Sequence, residues 1–294
     1  MATLSFARGI TPRIREDGVL RAIYFVLARF QFVRLIGNAV LTLIRPAAQD
    51  DSVPSASLCS RQSLFSDVNP DEAVAAIREK SWFPNFNLRP ELADEITLAA
   101  KDALLVSPMN RTFAFHPEDR SFAEQYLGQP IVFADYPDLV VSNRVIRTIC
   151  ADPAIRLIAE KYLRRRVQHI KPRLFHSFIA KVSHQERLKQ LQTIHFHYDS
   201  DAFRVLSFNF YLTDTDEDNG AHVLIEGTHG KKHLRHLFGT TNVPHDDVSK
   251  FYPERKITVI SGRKGYGFAE DLYCLHKALI PRTRNRLFLQ IRCY

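Results

Sequence analysis

The chain has 294 residues, 45% of them hydrophobic and 24% charged. That is the balance of a globular protein with a sizeable core, and it argues against a disordered or fibrous chain. Cys59, Cys150, Cys274 and Cys293 stand far apart without a CxxC pair, so neither a zinc ribbon nor a disulfide framework is expected, and a reducing cytoplasmic setting fits. The net charge of +8 is uneven: within residues 1–50, seven arginines oppose Glu16, Asp17 and Asp50, and half the excess lies there.

Residues 1–48 read as a basic, amphipathic helical segment. The most apolar stretch, 20–45, is interrupted by Arg21, Arg29 and Arg34. Its longest uncharged run, Leu35 to Ile44, falls well short of the roughly 20 residues a membrane span requires. The acidic pair Glu16-Asp17 and the lack of a small-residue cleavage site argue against a secretion signal. At 100° per residue, Gln31, Arg34, Asn38, Thr42 and Arg45 fall on one narrow polar stripe, and the rest of the helix surface is apolar. Such a face needs a cover. The expectation is packing on the main domain or across a homodimer; the alternative is an anionic membrane surface, with the arginines at the headgroups.

Residues 49–70, rich in Pro, Ser, Ala and Asp, read as a linker or an ordered surface loop. The main domain is expected over 71–294. Asn69-Pro70-Asp71 opens a helix whose first turn is acidic, and Trp82-Phe83-Pro84 ends it. Helical spacing recurs over 88–106 and 142–164. In the latter, Val145, Ile146, Ile149, Ile155, Ile158, Ala159 and Tyr162 repeat at three and four. Arg164-Arg165-Arg166 closes that stretch, where cations suit a helix C-terminus. No aromatic or further basic repeat accompanies the triplet, so a nucleic-acid partner is not expected.

From Val167 onward the period changes to two. Short apolar runs at 173–181, 192–198, 203–212, 221–226, 256–260, 264–268, 273–279 and 286–292 are separated by turn residues. Eight short strands after a helical lead predict an α+β protein with a mainly β core: a double-stranded β-helix, or jelly roll, flanked by helices.

His197 and Asp199 are two residues apart in one of these runs. Residues i and i+2 of a strand share a face, so both side chains can reach one ion. His276 lies in a late run that a rolled sheet can bring alongside. Two imidazoles and one carboxylate make the facial triad that holds non-haem Fe(II) with three positions open. A rival set, His195 and His197 with Asp201, imitates a cupin metal motif, but the glycine and proline landmarks of that motif are absent.

The stretch from His195 to Gly230 resembles the phytanoyl-CoA dioxygenase family. His197-Tyr198-Asp199 is followed by a strand, by the acidic turn Asp218-Asn219-Gly220, and by a second strand ending at Gly227-Thr228-His229. His276, with Arg286 ten residues on, completes the pattern. Glu226 departs from it, standing where the family has proline. The resemblance covers about residues 75–294. It implies His197, Asp199 and His276 as Fe(II) ligands, 2-oxoglutarate as co-substrate and O₂ as oxidant. Arg286 would pair with the far carboxylate of 2-oxoglutarate, since a guanidinium fork matches a carboxylate bidentately. Lys181 is carried over as a second co-substrate contact; apart from the resemblance, period two puts Ser207, Asn209 and Tyr211 on one polar strand face expected to look into the pocket, with Asn209 as a contact to the keto acid. His222 is a candidate to line the site; His229, His233, His236 and His245 are expected to be structural or superficial.

The implied reaction is hydroxylation of an unactivated C–H in a small organic, lipid-like or biosynthetic molecule, with release of succinate and CO₂. Retention of Asp199 argues against halogenation. Desaturation, cyclisation or epimerisation on the same iron remain alternatives, as does a non-catalytic jelly-roll module. Nothing in the chain binds CoA recognisably.

Overall fold

A computed structural model describes residues 27–44, 63–200, 203–238 and 242–294. The outer parts of the expected N-terminal segment, most of the expected linker, Cys59 and Asp201 lie outside these. The strands are β1 (Trp82–Phe83), β2 (Leu105–Ser107), β3 (Asn110–Phe115), β4 (Phe133–Asp135), β5 (Ile170–Ser177), β6 (Leu206–Tyr211), β7 (His222–Ile225), β8 (Ile257–Ile260), β9 (Gly267–Asp271), β10 (Leu275–Ala278) and β11 (Arg286–Cys293). An eight-stranded sheet runs β1-β9-β6-β11-β5-β4-β2-β3 and a three-stranded sheet runs β10-β7-β8, with antiparallel pairing throughout. His197 forms an antiparallel bridge with His276, so its segment extends the small sheet past β10. From β5 onward the chain winds between two facing sheets, crossing to the small sheet at His197, back at β6, across again for the β7–β8 pair, back at β9, across at β10 and back at β11, the winding of a double-stranded β-helix. Seven of the eight expected runs contain strands; the run at 192–198 contributes bridged residues only.

The helices are α1 (Gln31–Ile44), α2 (Pro70–Lys80), α3 (Pro90–Asp102), α4 (Arg120–Leu127), α5 (Leu139–Ser142), α6 (Arg144–Cys150), α7 (Pro153–Leu163), α8 (His184–Lys189), α9 (Leu234–Phe238) and α10 (His245–Val248). Local chemistry sets their ends. Asn69 accepts from the Asp71 and Glu72 amides to cap α2. The continuous periodicity over 142–164 breaks into α6 and α7 because Pro153 cannot continue a helix, and Asp152 caps the new one. Asp152 also accepts from Ser63 Oγ and the Leu64 amide, so residues 63–68 pack as ordered chain, with Phe65 buried.

Three apolar layers result. Leu174, Phe208, Phe210, Leu287, Leu289 and Ile291 on the outer face of the large sheet meet Ile77, Ile146, Ile155, Ile158 and Tyr162 from the helices. Phe133, Phe175, Tyr211, Phe268 and Phe288 line the space between the sheets together with Leu224 and Ile260. Phe196, Val223, Ile225 and Leu275 face outward from the small sheet and are covered by Val243, Val248 and Tyr252. Each such side chain contributes about 1.5–3 kcal/mol by burial. Tyr211 ties the sheets together: its hydroxyl donates to the Ile260 carbonyl at 2.7 Å and accepts from the His222 amide at 2.9 Å.

The N-terminal helix packs with its faces reversed from the expectation. Its polar stripe meets the domain, where Arg34 and Asn38 are buried. Arg34 donates from Nε to the Phe203 carbonyl at 2.6 Å and lies 3.3 Å above the centre of the Tyr273 ring. Asn38 donates to the Leu163 carbonyl at 3.0 Å. Side chains such as Phe32, Leu35, Ile36 and Leu43 are left exposed, at 62%, 53%, 61% and 84%. The stripe wins because it meets specific partners: the carbonyls and the aromatic ring offer buried hydrogen bonds and a cation–π contact that a greasy face cannot use.

Candidate metal centre

Cross-strand register selects the side chains that face inward. On the large sheet, Gln290 pairs with both Asn209 and Arg173, Phe288 with Phe175 and Tyr211, and Arg286 with Ser177. Period two then aligns Arg286, Phe288, Gln290 and Arg292 along β11 toward the small sheet. His276 and Ala278 of β10 face them, paired with Leu224 and His222 of β7.

One ligand atom from each of His197, Asp199 and His276 comes within 4.8 Å of the others. His197 Nε2 lies 3.9 Å from Asp199 Oδ1, and the two imidazole centres are 4.2 Å apart. The Nδ1 atom of His197 is 3.2 Å from the His195 carbonyl, and that of His276 is 3.0 Å from the Cys274 carbonyl. A carbonyl only accepts, so each Nδ1 carries the proton and each Nε2 keeps its lone pair for a metal. Burial lowers the pKa of both rings, and for His276 the neighbouring His197 adds to it, which favours the neutral, ligating form. Asp199 Oδ2 is engaged by Arg292 at 3.0 Å, leaving Oδ1 toward the imidazoles.

His195 joins no such group among the described residues. A second grouping, Glu270, Cys274 and His276, shares His276 with the first. Its thiol donates to Glu270 Oε1 at 2.9 Å, and burial with the adjacent carboxylate pushes the thiol pKa well up. The cysteine therefore stays protonated and makes a poor ligand. Glu270 also contacts His222 Nε2 at 2.8 Å. Burial alone would raise its pKa, but the charges and hydrogen bonds of His222, His276 and Cys274 outweigh that and hold it low.

Arg286 is 4% exposed and lines the same cavity as His197 and His276. It donates to the Gly220 carbonyl at 2.5 Å and to Ser177 Oγ at 3.2 Å, while its Nε has no partner. No carboxylate pairs with it among the described residues. Burial pulls its pKa down to about 10. Gly220 holds φ +87, and a Cβ there would press on Pro281 and the Leu279 carbonyl. The Asn-Gly turn is thus a backbone cradle for the arginine.

Asn209 is fully buried on the inward face; its Oδ1 accepts from Ser207 and Gln290, and its Nδ2 has no partner. Lys181 is not brought to the site. The chain leaves β5 after Ser177 on its way to α8, and Lys181 faces solvent there. Arg173 and Gln290 line the cavity in its stead. His222 also lines it, whereas His229 is structural, bridging Ser81 Oγ at 2.6 Å and the Arg78 carbonyl at 3.0 Å. Glu226, the residue in the proline position, accepts from Trp82 Nε1 and Thr258 Oγ1. Sequence reasoning did not single out Arg292, Ser177, Gln290 or Glu270. The signal for Arg292 and Gln290 was present, since both lie in period-two register with Arg286.

The cavity beside the imidazoles measures ≈ 80 Å³. Arg173 and Leu191 also line an adjoining one of ≈ 590 Å³, bordered by Val106, Pro108, Arg111 and Asp135. The donor set suits a divalent iron: two neutral imidazoles and one carboxylate paired with Arg292 through its second oxygen, beside a buried cation without a counter-anion among the described residues.

No protein-family model and no curated protein sequence matches the chain. Solved structures do. The non-heme alpha ketoglutarate dependent epimerase SnoN from nogalamycin biosynthesis aligns at 14% identity, covering 76% of this chain and 82% of that one, with a TM-score of 0.51. EctD from S. alaskensis, with 2-oxoglutarate and 5-hydroxyectoine, aligns at 16% identity, covering 85% and 82%, with a TM-score of 0.53. At these identities the likeness establishes the fold: the chain shares the jelly-roll architecture of these two enzymes.

Proposed function

We propose that the protein is an Fe(II)- and 2-oxoglutarate-dependent oxygenase of a small organic molecule. The carrying observation is the pairing, in one cavity, of the His197-Asp199-His276 group with a buried Arg286 that has no carboxylate partner among the described residues. A buried guanidinium without an anion is costly, and a dicarboxylate co-substrate supplies that anion. SnoN is described as alpha ketoglutarate dependent, and EctD was solved with 2-oxoglutarate, which supports the reading. We assign the catalytic unit to residues 71–294.

When bound, the iron supplies oxidation of the substrate by O₂ coupled to decarboxylation of 2-oxoglutarate. His197 and His276 would hold it through Nε2 and Asp199 through Oδ1. Arg292 forms an ion pair with the other carboxylate oxygen of Asp199. Arg286, braced by Ser177 and Gly220, anchors the distal carboxylate of the co-substrate. Asn209, with an unused amide, is assigned a polar contact on the same inner face. Phe175, Phe268 and Phe288 exclude water around these groups. The adjoining cavity beyond Arg173 and Leu191 admits the substrate.

Hydroxylation is the assigned outcome, as the retained Asp199 leaves no vacancy for halide. The test is succinate formation from 2-oxoglutarate under air with added Fe(II), against His276→Ala. Iron-dependent succinate in the wild type alone supports the reading, and gain of one oxygen atom by the consumed substrate separates hydroxylation from epimerisation or desaturation. A folded wild type that forms no succinate with any small-molecule library speaks for the non-catalytic module.

A further inference from the structure

The N-terminal helix leaves its apolar face bare and roofs a cavity of ≈ 290 Å³ that shares no residue with the metal-centre cavity. Arg34, Arg78, Arg164, Arg204 and His229 line this second cavity, with Asp271 as its acidic residue. Asp271 offsets part of this charge through its attraction to Arg34, and it also accepts from the Tyr162 hydroxyl at 2.5 Å and from the Tyr273 amide at 2.9 Å. Among the described residues none of the four arginines forms an ion pair. Arg34 is buried and its NH1 has no hydrogen-bond partner. Arg78 and Arg164 stand exposed at the rim. Burial, and then the positive charges of Arg164 and Arg204, lower the Arg78 pKa, so these guanidinia crowd one another. Like charges held together this way call for an anion.

The surface around the cavity is apolar. Nine of the seventeen exposed large hydrophobic side chains of the described residues lie on only two segments: Leu27, Phe32, Leu35, Ile36, Val40, Leu43 and Ile44 at the N-terminal helix, and Leu234 and Phe238 on α9. Phe30 packs edge-on against Phe238 at 5.4 Å, joining the two segments into one patch. Leu35 both lines the cavity and belongs to the patch. The flanks are basic: no acidic residue occurs between Asp17 and Asp50, and Lys231 and Arg235 border Leu234. No helix of the described residues is long and apolar enough to cross a membrane.

We propose that the bare face of the N-terminal helix and the arginine-lined cavity beneath it form a docking site for an anionic phospholipid surface, with a headgroup phosphate taken by Arg34, Arg78, Arg164 and Arg204. Apolar side chains beside a basic rim are the interfacial arrangement, in which acyl contact and headgroup attraction add. The charge also decides between occupants. A second copy would bring the same excess of arginines, four against Asp271, against itself across a symmetric interface, whereas an anionic lipid neutralises it.

The test is co-sedimentation of the full chain with vesicles of phosphatidylcholine alone and of phosphatidylcholine with phosphatidylserine, read independently of any iron chemistry. The wild type is expected to pellet with the phosphatidylserine vesicles and to be released by salt. Leu43→Glu with Ile44→Glu, both on the exposed face, should abolish pelleting without unfolding the chain. Arg78→Gln with Arg164→Gly should weaken it about 25-fold, from about fivefold per arginine near an anionic surface. Arg164 sits at φ +58, so glycine suits its backbone. A folded wild type that never pellets overturns the proposal. So does a wild-type dimer that the Leu43→Glu, Ile44→Glu variant dissociates. Thermal stabilisation by inorganic phosphate without vesicle binding also overturns it, in favour of a soluble anion.

Discussion

Replacing Arg286 with methionine separates what the arginine does for function from what it does for the fold. Burial lowers its pKa from 12.5 to about 10, and each pKa unit corresponds to about 1.4 kcal/mol. The guanidinium stays charged at neutral pH, so the ligand-free fold carries a penalty on the order of 3 kcal/mol. Hydrogen bonds to the Gly220 carbonyl and Ser177 Oγ offset it, at about 1.5–3 kcal/mol for each charged donor. The two sides nearly cancel, so Arg286→Met should unfold in urea within about 1–2 kcal/mol of the wild type. Breaking a buried ion pair typically costs about 3–5 kcal/mol. The co-substrate tells the opposite story. Two charge-assisted bonds to its carboxylate are worth about 3–6 kcal/mol, so 2-oxoglutarate should bind the variant at least about a hundredfold more weakly. Anaerobic calorimetry with Mn(II) in place of iron reads the affinity. A variant destabilised by more than about 3 kcal/mol that still binds 2-oxoglutarate normally would refute the reasoning.

Arg292→Gln removes the cation at Asp199 Oδ2 and should weaken Mn(II) binding about 10- to 100-fold, the usual cost of losing an outer-sphere partner; Asp199→Ala should weaken it more, both read by titration. His176 is held neutral by burial and by nearby Arg120, its pKa lowered to about 4, with the Tyr136 hydroxyl 2.9 Å from its Nδ1. The unfolded imidazole protonates near pH 6.5 and the folded one does not, so stability is unaffected above that pH and falls as pH drops from 6.5 toward 4. The slope approaches about 1.4 kcal/mol per pH unit, and His176→Gln should flatten urea-derived stability across that window; an unchanged slope counts against the assignment. Asn38→Ala removes a buried donor to the Leu163 carbonyl and should cost about 1–3 kcal/mol locally. Protease cleavage within 27–44 should accelerate while metal affinity holds.

The β-helix was legible because its signal is local: period-two runs with turn punctuation appear wherever a strand has one face in the core. The grouping of His197, Asp199 and His276 was legible in the two-residue spacing of the first pair, although Asp199 lies just past the bridged residues, and in the late run that contains His276. What the sequence hid depends on distant pairing. Lys181 belongs to an apolar run in sequence, yet β5 ends four residues earlier, where β4 and β11 stop pairing with it. Strands β2 and β4, of three residues each, are too short to carry a period, and β3 has a single buried residue, Phe115, so it shows no apolar alternation. The N-terminal helix shows the limit most clearly. Its amphipathic pattern gave two faces, and only the Tyr273 ring and the Phe203 and Leu163 carbonyls, contributed by remote segments, decided that the polar one turns inward.

His197, Asp199 and His276 are assigned to iron, and Arg286 to 2-oxoglutarate beside it. Anaerobic addition of Fe(II) and then 2-oxoglutarate, followed by visible absorption, tests this assignment most directly. A weak charge-transfer band is expected that requires both additions, vanishes in Asp199→Ala and needs far more 2-oxoglutarate in Arg286→Met. A folded wild type that gives no band at saturating iron and 2-oxoglutarate would contradict the assignment.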